Sequence, residues 1–474
     1  MPTTNNNRKI LDTKQWEYMT PAPAVTAAGT LIASSRMFDQ QQLYVSSNTV
    51  AHLYNPYEDG WVQLPSPALT TGVVAGAGAA GSVFSIATTG SSTAGTTTSM
   101  TTNLTLTRDL RGYSVLITSG SASGSVAQIA RNTIGSGSVI TFTTALSASI
   151  GVGSTYRLIV PSYYVLNGGT VTAGQFRRYD YALNTWTTLA TTGLPASLAT
   201  DGKLVSTNSW QGSNFLSFST GSATAATTNT LTNNTRSWTV NQWANSQIRI
   251  TAGTGAGQIR TIASSSVNAV TASANWTVIP DTTSQYSIEG NDDFIYYIGN
   301  AALPVYRYSI SASVWTTLAP TVARAAAPGA GMSANWVWNV SATDWKDDTS
   351  YLNGRFIYSF RGATTSAVLD RYDIGLNTWS VVTYSPATEI LQTGTKYAYN
   401  GDYIYIQKDS TGRWFRYNIT TSDQDGWGQF LFPNGAALVG DTAFDVTYTD
   451  GTTSVPFIYM LLNTSTVLLR CMVI

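Results

Sequence analysis

The nine residues Arg178-Tyr179-Asp180-Tyr181-Ala182-Leu183-Asn184-Thr185-Trp186 are one copy of a phrase that recurs along this chain. Arg307-Tyr308 leads to Val314-Trp315, and Arg371-Tyr372-Asp373 leads to Asn377-Thr378-Trp379. Tyr54-Asn55 leads to Gly60-Trp61 without the arginine, and Arg416-Tyr417-Asn418 reaches Gly426-Trp427 with three additional residues. Outside that last copy, the tyrosine precedes its tryptophan by seven positions each time. Self-similarity at a period near fifty residues marks a chain built from equivalent units.

Each phrase has an apolar partner upstream. Phe294-Ile295-Tyr296, Phe356-Ile357-Tyr358, Tyr403-Ile404-Tyr405 and Phe457-Ile458-Tyr459 precede the next arginine by 11, 13, 11 and 11 residues. Gln42-Leu43-Tyr44 and Tyr163-Tyr164-Val165 are weaker versions. Short aromatic and β-branched runs bounded by Gly, Asn, Asp and Ser read as strands joined by hairpins. Small-residue stretches such as Val73-Val74-Ala75-Gly76-Ala77-Gly78 supply one more strand, suited to a crowded axis. Each unit then holds four strands.

The termini complete the count. Leu468-Leu469-Arg470-Cys471-Met472 aligns with Val305-Tyr306-Arg307-Tyr308-Ser309, a third strand with no tryptophan strand after it. Lys14-Gln15-Trp16-Glu17-Tyr18-Met19 has the character of the missing strand, and Thr20-Pro21 follows it as Leu64-Pro65 follows Trp61. Pairing the two ends removes exposed sheet edges, which are aggregation hazards. The expectation is an all-β, six-bladed β-propeller closed by pairing of N- and C-terminal strands, with a repeat core of Trp16, Trp61, Trp186, Trp315, Trp379 and Trp427.

On these tyrosine and tryptophan positions the chain resembles the kelch-type β-propeller over residues 10–91, 161–221 and 290–474. It departs from that family in the usual glycine doublet, for which Gly168-Gly169 is the good candidate.

Successive tryptophans lie 45 (16 to 61), 125 (61 to 186), 129 (186 to 315), 64 (315 to 379) and 48 (379 to 427) residues apart. The two long gaps imply insertions between the first and second strands of a blade: β module 1 at 92–160 and β module 2 at 222–289. They read as duplicates. Gly112-Tyr113-Ser114-Val115-Leu116-Ile117 matches Asn245-Ser246-Gln247-Ile248-Arg249-Ile250, Gln128-Ile129 matches Gln258-Ile259, and Tyr156 matches Tyr286. The last two matches share an offset of 130. Module 2, with Gly253-Thr254-Gly255-Ala256-Gly257-Gln258-Ile259-Arg260, resembles small β modules of tailed-bacteriophage virion structural proteins. The 315-to-379 unit is also extended and carries Trp336, Trp338 and Trp345. Loops on a rigid scaffold usually carry function, so this decorated face is the expected contact surface.

Charge is sparse: 25 basic and 25 acidic residues, 11% of the chain, against about 25% in an average soluble domain. Such a surface gains little solubility from repulsion and suits a protein packed in an assembly. It argues against nucleic-acid binding through a basic patch. A single cysteine, Cys471, excludes an internal disulfide and reads as a buried small hydrophobe. Met1–Lys9 has no apolar core of a secretory signal, and no apolar run is long enough for a membrane helix. Synthesis in a host cytoplasm is the expectation.

Catalytic chemistry is thin. His52 is the one histidine, so no site with paired histidines for zinc or copper can be built, which removes copper chemistry like that of galactose oxidase, a member of the kelch-type propellers this chain resembles. A Ser-His-Asp arrangement can be drawn around His52, but a lone strand histidine reads as structural. Asp292-Asp293, Asp347-Asp348 and Asp423/Asp425 could serve as glycosidase carboxylates, yet each sits in a turn-like context that favours Asp for backbone reasons. The arginines at 178, 307, 371, 416 and 470 share one strand position and read as structural, with Arg and Tyr on opposite faces. No enzyme activity, cofactor or metal is expected.

Together these point to a non-catalytic structural component of a tailed-phage virion, in the tail, neck, nozzle or baseplate. It would act by multivalent packing against other virion proteins and copies of itself. The alternative is a host-attachment protein on the virion surface, a receptor- or glycan-binding adhesin with Trp336, Trp338 and Trp345 stacking on sugar rings.

Overall fold

The computed structural model describes residues 16–25, 31–34, 42–56, 58–74, 78–84, 88–198, 203–207, 210–211, 214–215, 217–298, 304–322, 324, 332–334, 356–360, 369–382, 396–400, 403–408, 413–418, 424–429, 448–449, 454–455, 457–462 and 465–472. These residues form strands and turns and contain no helix. The protein is all-β.

Five four-stranded antiparallel sheets follow one plan. The first joins Leu31–Ser34, Gln42–Val45, Ala51–Asn55 and Gly60–Gln63. The second joins Gly78–Phe84, Pro161–Asn167, Phe176–Asp180 and Thr185–Thr188. The third joins Lys203–Ser206, Phe294–Ile298, Val305–Ser309 and Val314–Leu318. The fourth joins Met332–Ala334, Phe356–Phe360, Leu369–Asp373 and Thr378–Val382. The fifth joins Lys396–Asn400, Tyr403–Lys408, Arg413–Asn418 and Gln424–Gln429. A sixth sheet holds Phe457–Leu461, Leu468–Met472 and, from the other end of the chain, Trp16–Tyr18. Trp16 faces Cys471 and Glu17 faces Arg470 in that terminal pairing.

The recurrent phrase is a hairpin whose register explains its spacing. Tyr54, Tyr179, Tyr308 and Tyr372 lie directly opposite Trp61, Trp186, Trp315 and Trp379. Their ring centroids are 5.0, 5.3, 5.1 and 5.2 Å apart at interplanar angles of 46–49°. The turn between them holds a residue in the left-handed region: Asp59, Asn184, Ser313 or Asn377, with φ of 47–54°. Asp and Asn tolerate that conformation. Their side chains also accept the tyrosine hydroxyl, at 2.8 Å for Asp59 and 2.6 Å for Asn184 and Asn377. Trp427 lies in the matching strand, but a register shift leaves Tyr417 facing Gln424.

The arginines have a fixed partner. Arg178, Arg307, Arg371, Arg416 and Arg470 stand opposite Tyr164, Tyr296, Tyr358, Tyr405 and Tyr459. In the first sheet, where the phrase lacks its arginine, Leu53 faces Leu43. The second-sheet triplet therefore ends at Tyr164, one residue before the Val165 expected from sequence.

Adjacent sheets pack face to face in chain order. Tyr54, Tyr44 and Ile32 meet Tyr459, Leu461 and Leu468 of the sixth sheet. Leu43, Val45 and Leu53 meet Tyr163, Val165 and Tyr179. Tyr164, Leu166 and Phe176 meet Ile295, Tyr297, Tyr308 and Trp315. Val205, Tyr296 and Phe294 meet Ile357, Tyr358, Tyr372 and Trp379. Alternation sends each strand's neighbours to opposite faces, and Tyr308 and Arg307 part accordingly. The first strands also adjoin in series: Leu31–Ser34 lies against Gly78–Phe84, that against Lys203–Ser206, and the series continues through Met332–Ala334 to Lys396–Asn400.

Hydrogen bonds repeat between neighbours. Trp61 Nε1 donates to Thr20 O, and Trp186 Nε1 to Pro65 O, both at 3.0 Å. The amides of Trp315 and Trp379 donate to Thr192 O and Val322 O, both at 3.2 Å. These four tryptophan strands are thus each tied to the chain leaving the preceding tryptophan strand.

Two further β units interrupt the second and third sheets between their first and second strands. One is a closed barrel of six strands, from Thr89–Gly95 to Thr155–Ile159. The other is a seven-stranded sheet from Ser217–Ser222 to Gln285–Glu289. Their first strands begin at Thr89 and Ser217, ahead of residues 92 and 222 expected from sequence. We refer to them as module 1 and module 2.

Candidate functional site

The two modules share a strand order. In module 1, Thr89–Gly95 pairs both Thr155–Ile159 and Ser99–Thr102. In module 2 that role is divided between Ser217–Ser222, paired to Gln285–Glu289, and Ala225–Ala226, paired to Thr230–Thr232. Val126 faces Leu116 as Ile259 faces Arg249, so these positions correspond at an offset of 133. Gln128 therefore corresponds to Thr261, not to Gln258 as the sequence match suggested. The offset falls to 130 beyond one hairpin turn. Asn132 and Ile140 bracket seven residues in module 1, whereas Ser265 and Val270 bracket four in module 2.

Equivalent turns bring the modules together. Gly124 N donates to Ile117 O and Gly257 N donates to Ile250 O, closing the same turn in each. Ser123, before Gly124, donates through Oγ to Ala256 O at 2.8 Å, and Ala256 is its counterpart before Gly257. Gly257 has φ 89° and Gly124 has φ 87°. A Cβ on Gly257 would collide with Ser123 Oγ and lie 2.9 Å from Gly124 N. Glycine is required here by both backbone conformation and close approach. Ile259 packs against the module 1 core beside this contact.

Each module is anchored on a hairpin of the repeat. Arg108 Nη2 donates to Tyr179 Oη at 2.8 Å and to Asn184 Oδ1 at 3.0 Å. Thr88 Oγ1 donates to buried Asp180 at 2.5 Å. In module 2, Asn245 Oδ1 accepts from Arg307 at 2.6 Å, and Asn245 Nδ2 donates to Ile374 O of the next sheet at 3.0 Å.

A cleft of about 1100 Å³ lies between the modules, lined by Thr118–Ser121, Ser123, Tyr156 and Arg157 on one side. Gly255–Arg260, Thr277 and Val278 line the other. Gln258 fixes the module 2 wall. Its Oε1 accepts from Thr277 N at 2.7 Å and Val278 N at 3.1 Å, while Nε2 donates to Val278 O at 2.7 Å and Gly255 O at 3.1 Å. Arg260 is held by Asn275 O, Ile259 O and Thr277 Oγ1 at 2.9–3.0 Å, with its guanidinium 5.7 Å from the Trp276 ring. Burial pushes the Tyr156 phenol up to about 12, opposed by its hydrogen bond to Thr102. It is a neutral hydroxyl at ordinary pH. Behind Arg157, buried Glu289 is clamped by Arg249 at 2.7 and 3.0 Å, and Asp292 accepts from Gln247 Nε2 at 3.3 Å.

The sequence candidates distribute as follows. Trp61, Trp186, Trp315 and Trp379 take their repeat positions, and Trp16 pairs across the terminal sheet. Trp336, Trp338 and Trp345 lie outside the described residues, as do Asp347, Asp348 and Asp423. Asp293 accepts from Ser309 Oγ and Ser311 N, both at 2.7 Å, a turn-closing role. His52 is buried beside Tyr44 and Trp61, and burial lowers its pKa. Cys471 is buried and forms no disulfide. Among the described residues no group of three His, Cys, Asp or Glu is placed to hold a metal. No helix among them is long and apolar enough to cross a membrane.

No family model matches the chain, and no curated protein matches it. Among solved structures it is similar to the phage phi92 endosialidase at 10% identity, over 98% of this chain and 69% of that one, with a TM-score of 0.29. It is also similar to a structural genomics protein of unknown function from Bacteroides thetaiotaomicron VPI-5482 at 10% identity. That match spans 78% of this chain and 66% of that one, with a TM-score of 0.25.

Proposed function

We propose that the six sheets are the blades of a kelch-like β-propeller carrying two duplicated modules, and that the protein is a non-catalytic structural component of a tailed-phage virion. The face-to-face packing in chain order, the adjoining first strands and the pairing of Trp16–Tyr18 with Leu468–Met472 support the propeller. The observation that carries the packing role is the charge-poor surface chemistry, 25 basic and 25 acidic residues in 474. A rigid disc of this kind assembles by shape and hydrogen bonding, with other virion proteins and further copies of itself as partners. It does so after synthesis in the host cytoplasm, without cofactor, metal, nucleic acid or membrane. The test is immunogold electron microscopy of source particles with an antibody to this chain. Label at the neck or along the tail is expected; no label on the particle overturns the virion assignment.

Trp336, Trp338 and Trp345, three tryptophans within ten residues, favour a second reading as a glycan-binding adhesin. Replacing all three by Ala would then abolish adsorption to host cells while particles still assemble. Unchanged adsorption removes that reading.

A further inference from the structure

We propose that the cleft between the two modules binds an acidic oligosaccharide, with the Arg157 guanidinium as the carboxylate-pairing group. This goes beyond the packing role and uses none of the three tryptophans above.

The walls set the ligand chemistry. Side-chain hydroxyls, open glycine backbone and the pinned amide of Gln258 dominate them, with few aliphatic sockets such as a peptide's side chains require. Hydroxyl-rich walls match a hydroxyl-rich ligand, because the Ser121 and Ser123 hydroxyls, which donate to Ser149 O and Ala256 O, keep lone pairs that accept from a sugar. No carboxylate lines the cleft, whereas Arg157 and Arg260 both do. Among the described residues Arg157 donates no side-chain hydrogen bond, although its burial in the protein disfavours the charge. Asp292, Asp293 and Glu289 lie near it and favour its charge, while Glu289 also binds Arg249, Asp292 accepts from Gln247, and Asp293 accepts from Ser309 and Ser311. A partly buried guanidinium with free donors is a ready fork for a carboxylate. Arg260, fixed by three oxygens and lying by Trp276, supplies a second cation without needing to be ordered on binding. The volume, about 1100 Å³, slightly exceeds the range of about 300–1000 Å³ usual for small-ligand pockets and suits several sugar rings.

The experiment is titration calorimetry of the full chain with a galacturonate hexasaccharide and an N-acetylneuraminate hexasaccharide. Maltohexaose serves as neutral control and poly-glutamate as acidic peptide control. Binding of either acidic hexasaccharide, at least tenfold weaker in Arg157→Gln and absent for maltohexaose, is expected. Ser121→Glu, an exposed rim change that gives up the hydroxyl's bond to Ser149 O, should weaken the same binding by charge repulsion. The inference is overturned if neither acidic hexasaccharide binds, if maltohexaose binds equally, if both variants bind as the parent does, or if poly-glutamate binds in their place. These outcomes are independent of where the chain sits on a particle.

Discussion

Arg470 and Glu17, 453 positions apart in sequence, are joined by a 2.9 Å salt bridge across the strand pair that brings the two ends of the chain together. The bridge sits on a backbone ladder, and the ladder is the larger contribution. Both side chains keep solvent contact, so Glu17→Gln should cost less than about 1 kcal/mol. Deleting residues 1–18 instead leaves Leu468–Met472 as an unpaired edge, and should lower the denaturation midpoint much further and promote aggregation. Chemical denaturation of the two variants compares them directly. Equal losses would mean that the ion pair, not the strand, holds the ends.

Tyr372 and Asn377 test the repeated turn. Tyr372→Phe removes only the hydroxyl bonded to Asn377 and should cost about 1 kcal/mol. Trp379→Ala, from the core between the third and fourth sheets, should cost about 3–5 kcal/mol. Asn377 has φ 50°, so Asn377→Ala should be worse than Asn377→Gly, since both lose the hydrogen bonds but only alanine resists the backbone. A reversed order in thermal unfolding would remove the conformational explanation.

The legible part of the molecule is the part governed by short-range geometry. A hairpin with a fixed turn puts residues seven apart face to face, so Tyr179 and Trp186 announce their pairing in sequence. Arg178 and Tyr164 are nearly as legible, although the triplet in the second sheet had to be moved by one residue. Gln258 was misread. Its match to Gln128 is a coincidence of local letters, and a loop three residues shorter in module 2 happens to reproduce the offset. The cleft had no sequence signal, because its walls are ordinary Ser, Thr and Gly brought together by two turns 133 residues apart. A signal was present only for the contact itself, in the paired glycines Gly124 and Gly257.

Gly257→Ala should therefore damage the module contact specifically. Its Cβ meets Ser123 Oγ and its φ of 89° is hostile to alanine, so a loss of at least about 1 kcal/mol is expected. Hydrogen exchange should rise at Gly124 and Gly257, whose amides close the two turns, and stay unchanged in the Phe294–Ile298 strand. Faster exchange throughout the third sheet would show that the modules are not separable from the repeat.

His52 supplies a pH dependence with a definite sign. It is buried, its Nδ1 has no hydrogen-bond partner among the described residues, and burial lowers its pKa from 6.5. The unfolded chain then takes up a proton at a higher pH than the folded chain does. Stability from this residue is present above pH 6.5 and is lost as pH falls through the depressed folded value. His52→Gln should flatten the part of the stability profile that lies below that pH, while carboxylate effects at lower pH persist. Denaturant midpoints of parent and variant, taken between pH 7.5 and about 5, decide it. Parallel profiles would mean that His52 titrates at the same pH in the folded and unfolded chain, so that its burial does not depress its pKa.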